Sequence, residues 1–338
     1  MRTGIVIDSA CDLPQDYLHN HPIHIMPISL HLGYDLFRDV REPEATQAFY
    51  RKYLAERTMD AETAPFSVEQ IRELFLDELV LKYDRVLVIT IAQTRSPIFA
   101  NATEAAYMIL KQYRERRQKA GLPGSFYLTV VDSKTLFTGE GILVHEAIRL
   151  LEEQNLSFGV LRGVIEQLSQ QVYGYLVPDD LFYVRHRASK KGEKSIGLIS
   201  YHFGTLLDIK PIIGFHRGES EVVDKDRGFD RALIKLFNIA RQAIDQGLAT
   251  RIINTSYAGE LEVIRRKRVF VDFERYARER DIDVLLSVMS TAGGINVGPG
   301  SFALSYIAGP PIAVPNSVEA CTVNRNPQQE WELADWAI

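Results

Sequence analysis

Cysteine is nearly absent from the chain: two in 338 residues, Cys11 and Cys321. They are too few and too far apart in sequence for a disulfide framework or a thiolate metal site. A surplus of positive charge is missing as well. Thirty-nine Lys plus Arg stand against 44 Asp plus Glu, a net of −5. That argues against nucleic acid as a partner, because binding its backbone needs cations gathered on one face. No long apolar run opens the chain. In MRTGIVIDSACDLP, Asp8 ends the run after four residues, short of a signal peptide, so a cytoplasmic protein is expected. Residues 284–318 carry no charged side chain, but nine glycines and prolines interrupt them. They read as buried strands joined by a turn, and no membrane span is expected.

Several chemistries lack their motifs. There is no GxxxxGK[ST] loop, and Gly139-Glu140-Gly141, the nearest approach to GxGxxG, has no third glycine. His145-Glu146 would need a second histidine where Arg149 stands to form a zinc-protease motif. His19, His21, His24 and His31 are half of the eight histidines, but no carboxylates are spaced to complete a metal geometry. No metal and no nucleotide cofactor is expected.

What is present suits a globular protein of two domains: 46% hydrophobic and 25% charged residues in a chain of this length. Apolar runs at 3–8, 23–30, 85–91 and 126–132 alternate with helical patterns at 45–57, from Ser67, after Ser96 and over 138–153. Continuously apolar strands separated by helices predict a mostly parallel sheet covered on both faces. The second half predicts a helix from Ser157 to 171 and a strand or hairpin at 172–184. An exposed basic loop follows at 185–194, then a hairpin at 210–223. A helix with the stripe Leu233, Leu236, Phe237, Ala240 and Ile244 comes next. Strands at 250–255, 284–289 and 302–307 surround one helix over 258–279. The fold expected is α/β in two domains. An N-terminal three-layer domain spans 1–160, a C-terminal mixed α/β domain spans 161–313, and a tail occupies 314–338.

Two strands end alike, Ile7-Asp8-Ser9 and Val131-Asp132-Ser133, and a third runs into Ala92-Gln93-Thr94-Arg95-Ser96. In a parallel sheet these ends share the carboxyl edge, where open α/β sheets place ligands. Asp and Ser there either form a shared polar site or merely cap turns. Ser96 stands just before a helix, suited to holding an anion, with no nucleophile elbow or nearby histidine that would make it catalytic. The segment Gly293-Gly294-Ile295-Asn296-Val297-Gly298-Pro299-Gly300 reads as a turn or as a polar tip facing Ser96 across a crevice.

Taken in order over about residues 1–308, these motifs resemble the DegV family of fatty-acid-binding proteins. Asp8-Ser9-Ala10-Cys11-Asp12-Leu13 is similar to its D-S-[TA]-x-D-L, and Pro27-Ile28-Ser29 to its P-L-S. Glu62-Thr63-Ala64-Pro65 stands for T-S-x-P, and Ser96 for the serine of S-G-T-Y. Val131-Asp132-Ser133-Lys134 with Gly139 and Gly141, Leu206 to Pro211, and Asn296 to Gly300 resemble V-I-D-S-[KR] with its glycine pair, L-x-I-K-P and H-x-G-x-G.

The resemblance implies a protein with no catalytic residues that encloses one long-chain fatty acid in a tunnel at or near the domain interface. Its carboxylate would be held by a threonine, a serine and a histidine. Thr63, Ser96 and Asn296 are the corresponding candidates here, with Gly298 and Gly300 beside them. It also implies a carrier that presents the carboxylate to an acyl kinase partner, for which the 185–194 loop is the candidate contact. The departures are Glu62, which would repel a carboxylate, and Asn296, which cannot carry charge. The alternative is a hydrolase or transferase using the crevice with Glu62 as base.

Overall fold

The computed structural model describes residues 1–32, 35–53, 61–122, 124–154, 156–191 and 208–310. The expected 314–338 tail and the end of the expected 185–194 loop lie outside them. Three sheets organise the chain. The first is parallel, in the order β2 (Ile23–Met26), β1 (Thr3–Asp8), β6 (Arg85–Thr90), β7 (Tyr127–Asp132). Its strands are apolar on both faces for a packing reason. Val6, Val86 and Val88 meet the helices 68–82 and Ile98–Ile109, while Ile5, Ile7, Leu87 and Ile89 meet Thr138–Gln154 and Phe158–Ser169. This is the covered parallel sheet expected from the apolar runs. Ser67 opens the helix that follows it with the expected capping box: its hydroxyl accepts from the Gln70 N–H, and Gln70 accepts from the Ser67 N–H.

After Ser169 the chain enters the second sheet, of six strands. They run β10 (Glu219–Arg227), β9 (Ile209–His216), β8 (Val172–Val177), β13 (Phe302–Ile307), β11 (Ile252–Tyr257), β12 (Asp283–Val288). Only β11 and β12 pair in parallel. The helix Phe229–Gln246 covers the outer face through the expected stripe, and Phe237 stacks on Phe273 at 4.5 Å between ring centroids. On the inner face, Val172, Ile252 and Ile307 share a core with Ile142, Leu143 and Ala147, so the helix Thr138–Gln154 lies between the two sheets. Gly141 permits that approach: a Cβ there would sit 2.3 Å from the Asp12 carbonyl.

Four expectations are corrected. Residues 23–30 are not one strand: Pro27, which lacks an N–H for a ladder, separates β2 from β3 (Ile28–Leu32). β3 belongs to a third, antiparallel sheet with β4 (Asp35–Asp39) and β5 (Ala61–Ala64). The basic stretch is no loop at its start, because a helix runs Leu181–Lys191 with Leu181, Tyr183 and Val184 buried on its inner face. The helix expected over 258–279 is two, Leu261–Arg265 and Arg268–Arg278. Finally, the glycine-rich segment is a helix, Thr291–Val297, capped by Ser290, whose hydroxyl accepts from the Gly293 N–H at 2.9 Å.

Candidate functional site

The carboxyl edge of the parallel sheet does not form a shared carboxylate site. Asp8 accepts from the N–H groups of Ala10 and Ile91, at 2.9 and 2.8 Å, and Ser9 from that of Ile28. Asp132 accepts from Gln93 and Lys134, and Ser133 from Thr135. These side chains fix the turns at the strand ends. Asp12 joins the two halves: its carboxylate accepts from the Ser290 N–H at 2.8 Å and the Ser256 hydroxyl at 2.6 Å, and Arg41 lies 3.3 Å away. Burial pushes Asp8 and Asp12 each up to about 6, against the pull of the N–H donors and, for Asp12, of Arg41.

Between the sheets lies a cavity whose wall includes, among the described residues, seventeen side chains, thirteen of them apolar. Ala10 and Ile91 come from the ends of β1 and β6, Ile28 from β3, and Leu176, Ile213 and Phe215 from β8 and β9. Leu136 and Phe137 precede the interlayer helix. Phe137 holds a left-handed φ of 48°, uncommon for a bulky residue, which sets its ring in the wall. The four polar residues are Thr63, Arg95, Ser96 and Asn296. Three separate stretches thus bring the three expected anchors to one cavity.

Each reaches it for a local reason. Thr63 sits opposite Leu30 in the β3–β5 ladder and shares its inward face. Glu62, one residue earlier and opposite His31, is exposed and outside the wall, as the two-residue period of a strand requires. The Glu62 base and the repulsion it implied therefore have no place at this cavity. Ser96 Oγ accepts from the Ile98 N–H at 3.3 Å, which leaves its own O–H to donate elsewhere. The Asn296 amide donates to the Ala292 carbonyl at 2.7 Å with one of its two N–H groups. Gly298 and Gly300 are not in the wall. At Gly298, φ is +91° and a Cβ would lie 2.4 Å from the Tyr183 ring, so this glycine serves the close packing of two helices.

Arg95 escaped the sequence reading as a site residue. Its only signal was its place beside Ser96. Among the described residues, no group of three or more His, Cys, Asp or Glu side chains could hold a metal, and no helix is long and apolar enough to cross a membrane.

The fold is an α/β protein whose apolar interlayer cavity carries a few hydroxyl, amide and guanidinium groups in its wall, the make-up of a small-molecule pocket. The profile described as uncharacterised protein, DegV family, matches residues 2–309, and the chain belongs to that family. A DegV domain-containing protein of Xanthomonas axonopodis pv. citri is 44% identical over 310 residues, 92% of this chain and 98% of its own. Among solved structures, the chain is similar to a stearic acid-binding protein of Eubacterium ventriosum. The TM-score is 0.73 at 21% identity, covering 90% of this chain and 98% of that one. It is also similar to a fatty-acid-binding DegV family protein of Thermus thermophilus, with a TM-score of 0.70 at 21% identity, covering 91% and 100%.

Proposed function

We propose that this protein binds a fatty acid or similar amphiphile, its hydrocarbon along the apolar wall and its polar head at Thr63, Ser96 and Asn296. The observation that carries the reading is the composition of the one wall among the described residues: thirteen are apolar, with three neutral hydrogen-bonding side chains and Arg95 beside them. The similar Eubacterium ventriosum protein binds stearic acid and the similar DegV family protein of Thermus thermophilus binds fatty acid, which supports it. In this reading the protein is a non-catalytic cytoplasmic carrier, and the basic residues of 185–194 meet an acyl kinase that phosphorylates the presented carboxylate.

Burial of apolar surface contributes about 0.8 kcal/mol per CH₂, so a chain-length series tests the proposal. Delipidated protein titrated with octanoate, decanoate, dodecanoate and hexadecanoate should gain about fourfold in affinity per added methylene until the cavity is full. Binding should saturate at one ligand per chain. A flat series, or no saturable binding of any member, overturns it.

A further inference from the structure

We infer that Asp39 and Tyr50 are positioning residues for the head group: they hold the helix Thr291–Val297 so that Asn296 keeps its place in the cavity wall. The inference rests on the fatty-acid reading of the cavity. The contacts run in one chain. The Asp39 carboxylate, buried at the end of β4, accepts from the Ala292 N–H at 2.9 Å through Oδ2. The Ala292 carbonyl in turn accepts from the Asn296 amide at 2.7 Å. Ala292 thus ties the carboxylate to the proposed anchor four residues later, and both Ala292 and Asn296 line the cavity.

The hold has further points. The Tyr50 hydroxyl, buried on the helix Pro43–Tyr53, lies 3.0 Å from the carbonyls of Met289 and Ser290 and donates to them. Arg41 donates from Nη2 to the Val288 carbonyl at 3.1 Å, and its backbone N–H donates to Asp39 Oδ1 at 3.1 Å. Residues 39–50 therefore grip the stretch 288–292, where the helix begins. A helix of seven residues makes few hydrogen bonds of its own, so the partners of its first N–H groups decide much of its placement. A carboxylate there also faces the positive end of the helix dipole. Gly294 lets the Tyr50 ring lie against this helix, since a Cβ would fall 2.4 Å from that ring. Ser96 is fixed by other bonds: its N–H donates to the Ala92 carbonyl and its hydroxyl accepts from the Ile98 N–H, each at 3.3 Å. Loss of the hold should therefore reach Asn296 and leave Ser96 as it is.

The test is a pair of double-mutant cycles on the intact chain, read by affinity for hexadecanoate. In wild type, Asn296→Ala and Ser96→Ala should each weaken binding about tenfold to a hundredfold. In Asp39→Ala, adding Asn296→Ala should cost about threefold or less, while Ser96→Ala keeps its full effect. Tyr50→Phe removes one hydroxyl and keeps the ring. It should shrink the effect of Asn296→Ala in the same way, and it supplies the reading should Asp39→Ala fail to fold. An Asn296→Ala effect that stays whole in a folded Asp39→Ala or in Tyr50→Phe would overturn the assignment. So would an Asn296→Ala effect already absent from wild type, or a Ser96→Ala effect that shrinks alongside it. If wild type binds no hexadecanoate, the fatty-acid reading itself fails and takes this inference with it, a different result from a binder in which Asn296 acts independently of Asp39.

Discussion

Replacing Ser96 with alanine removes one hydroxyl whose two roles are separable. Its oxygen accepts the Ile98 N–H at 3.3 Å, just before the helix Ile98–Ile109, and its proton is left for the ligand. The first role is local. Losing a long, half-buried bond near a helix start should cost about 0.5–1 kcal/mol of stability, a drop in melting temperature of a few degrees or less for a chain this long. The second role sets head-group affinity. A hydrogen bond to a charged group is worth about 1.5–3 kcal/mol, so hexadecanoate should bind roughly tenfold to a hundredfold more weakly. A neutral hydroxyl gains less from the same donor, and hexadecan-1-ol should lose about tenfold at most. Competition against a fluorescent fatty acid gives both constants on one preparation. Equal losses for acid and alcohol would mean that Ser96 shapes the wall without reading the head group. No loss for either would refute the placement of the head group at this loop.

Thr63→Ala, on the inward face of β5, should show the same discrimination between acid and alcohol in that assay. Asn296→His should strengthen hexadecanoate binding below the imidazole pKa of about 6.5 and not above it, and a pH-independent affinity would contradict the placement of Asn296. Asp12→Ala should destabilise the fold by about 3–5 kcal/mol, since it leaves buried Arg41 short of a partner and frees the Ser290 N–H; urea unfolding measures this. His24 and His145 are each lowered to about 4, first by burial and then by Lys82 and Arg149 respectively. Their contribution is therefore complete above about 6.5 and is lost as pH falls towards 4. Asp8 and Asp12, raised to about 6, act in the opposite sense as pH falls. Comparing melting curves of wild type and His24→Gln isolates one histidine, and wild type should lose more than the variant between pH 6.5 and 4.5.

Periodic signals carried the fold well. The parallel strands were legible because both faces of each are buried, which leaves continuous runs such as Gly4-Ile5-Val6-Ile7 with helical patterns between them. The third sheet was not, because β5 is four residues with one small step of alternation and its partner strand β3 lies 29 to 35 residues upstream. The glycine-rich segment misled for a related reason. Glycines signal turns locally, whereas here they admit Tyr50 and Tyr183 against a short helix, a tertiary demand that no local pattern carries. At the site, Ser96, Thr63 and Asn296 were reachable through motif order, and all three line the cavity. Glu62 was placed beside them by sequence adjacency, yet a strand turns neighbours to opposite faces. Arg95 has no motif at all, and only the shared wall sets it apart from other loop arginines.

The central claim is that the interlayer cavity holds a fatty acid, and the contents of the purified protein address it most directly. Mass spectrometry of an organic extract of the native protein, quantified against protein concentration, should find one fatty acid per chain. The same measurement on Leu176→Trp, which fills the cavity from the buried inner face of β8, should find little or none while circular dichroism stays native. A lipid-free extract from wild type that also fails to take up hexadecanoate, or an undiminished fatty acid in a natively folded Leu176→Trp, would contradict the account.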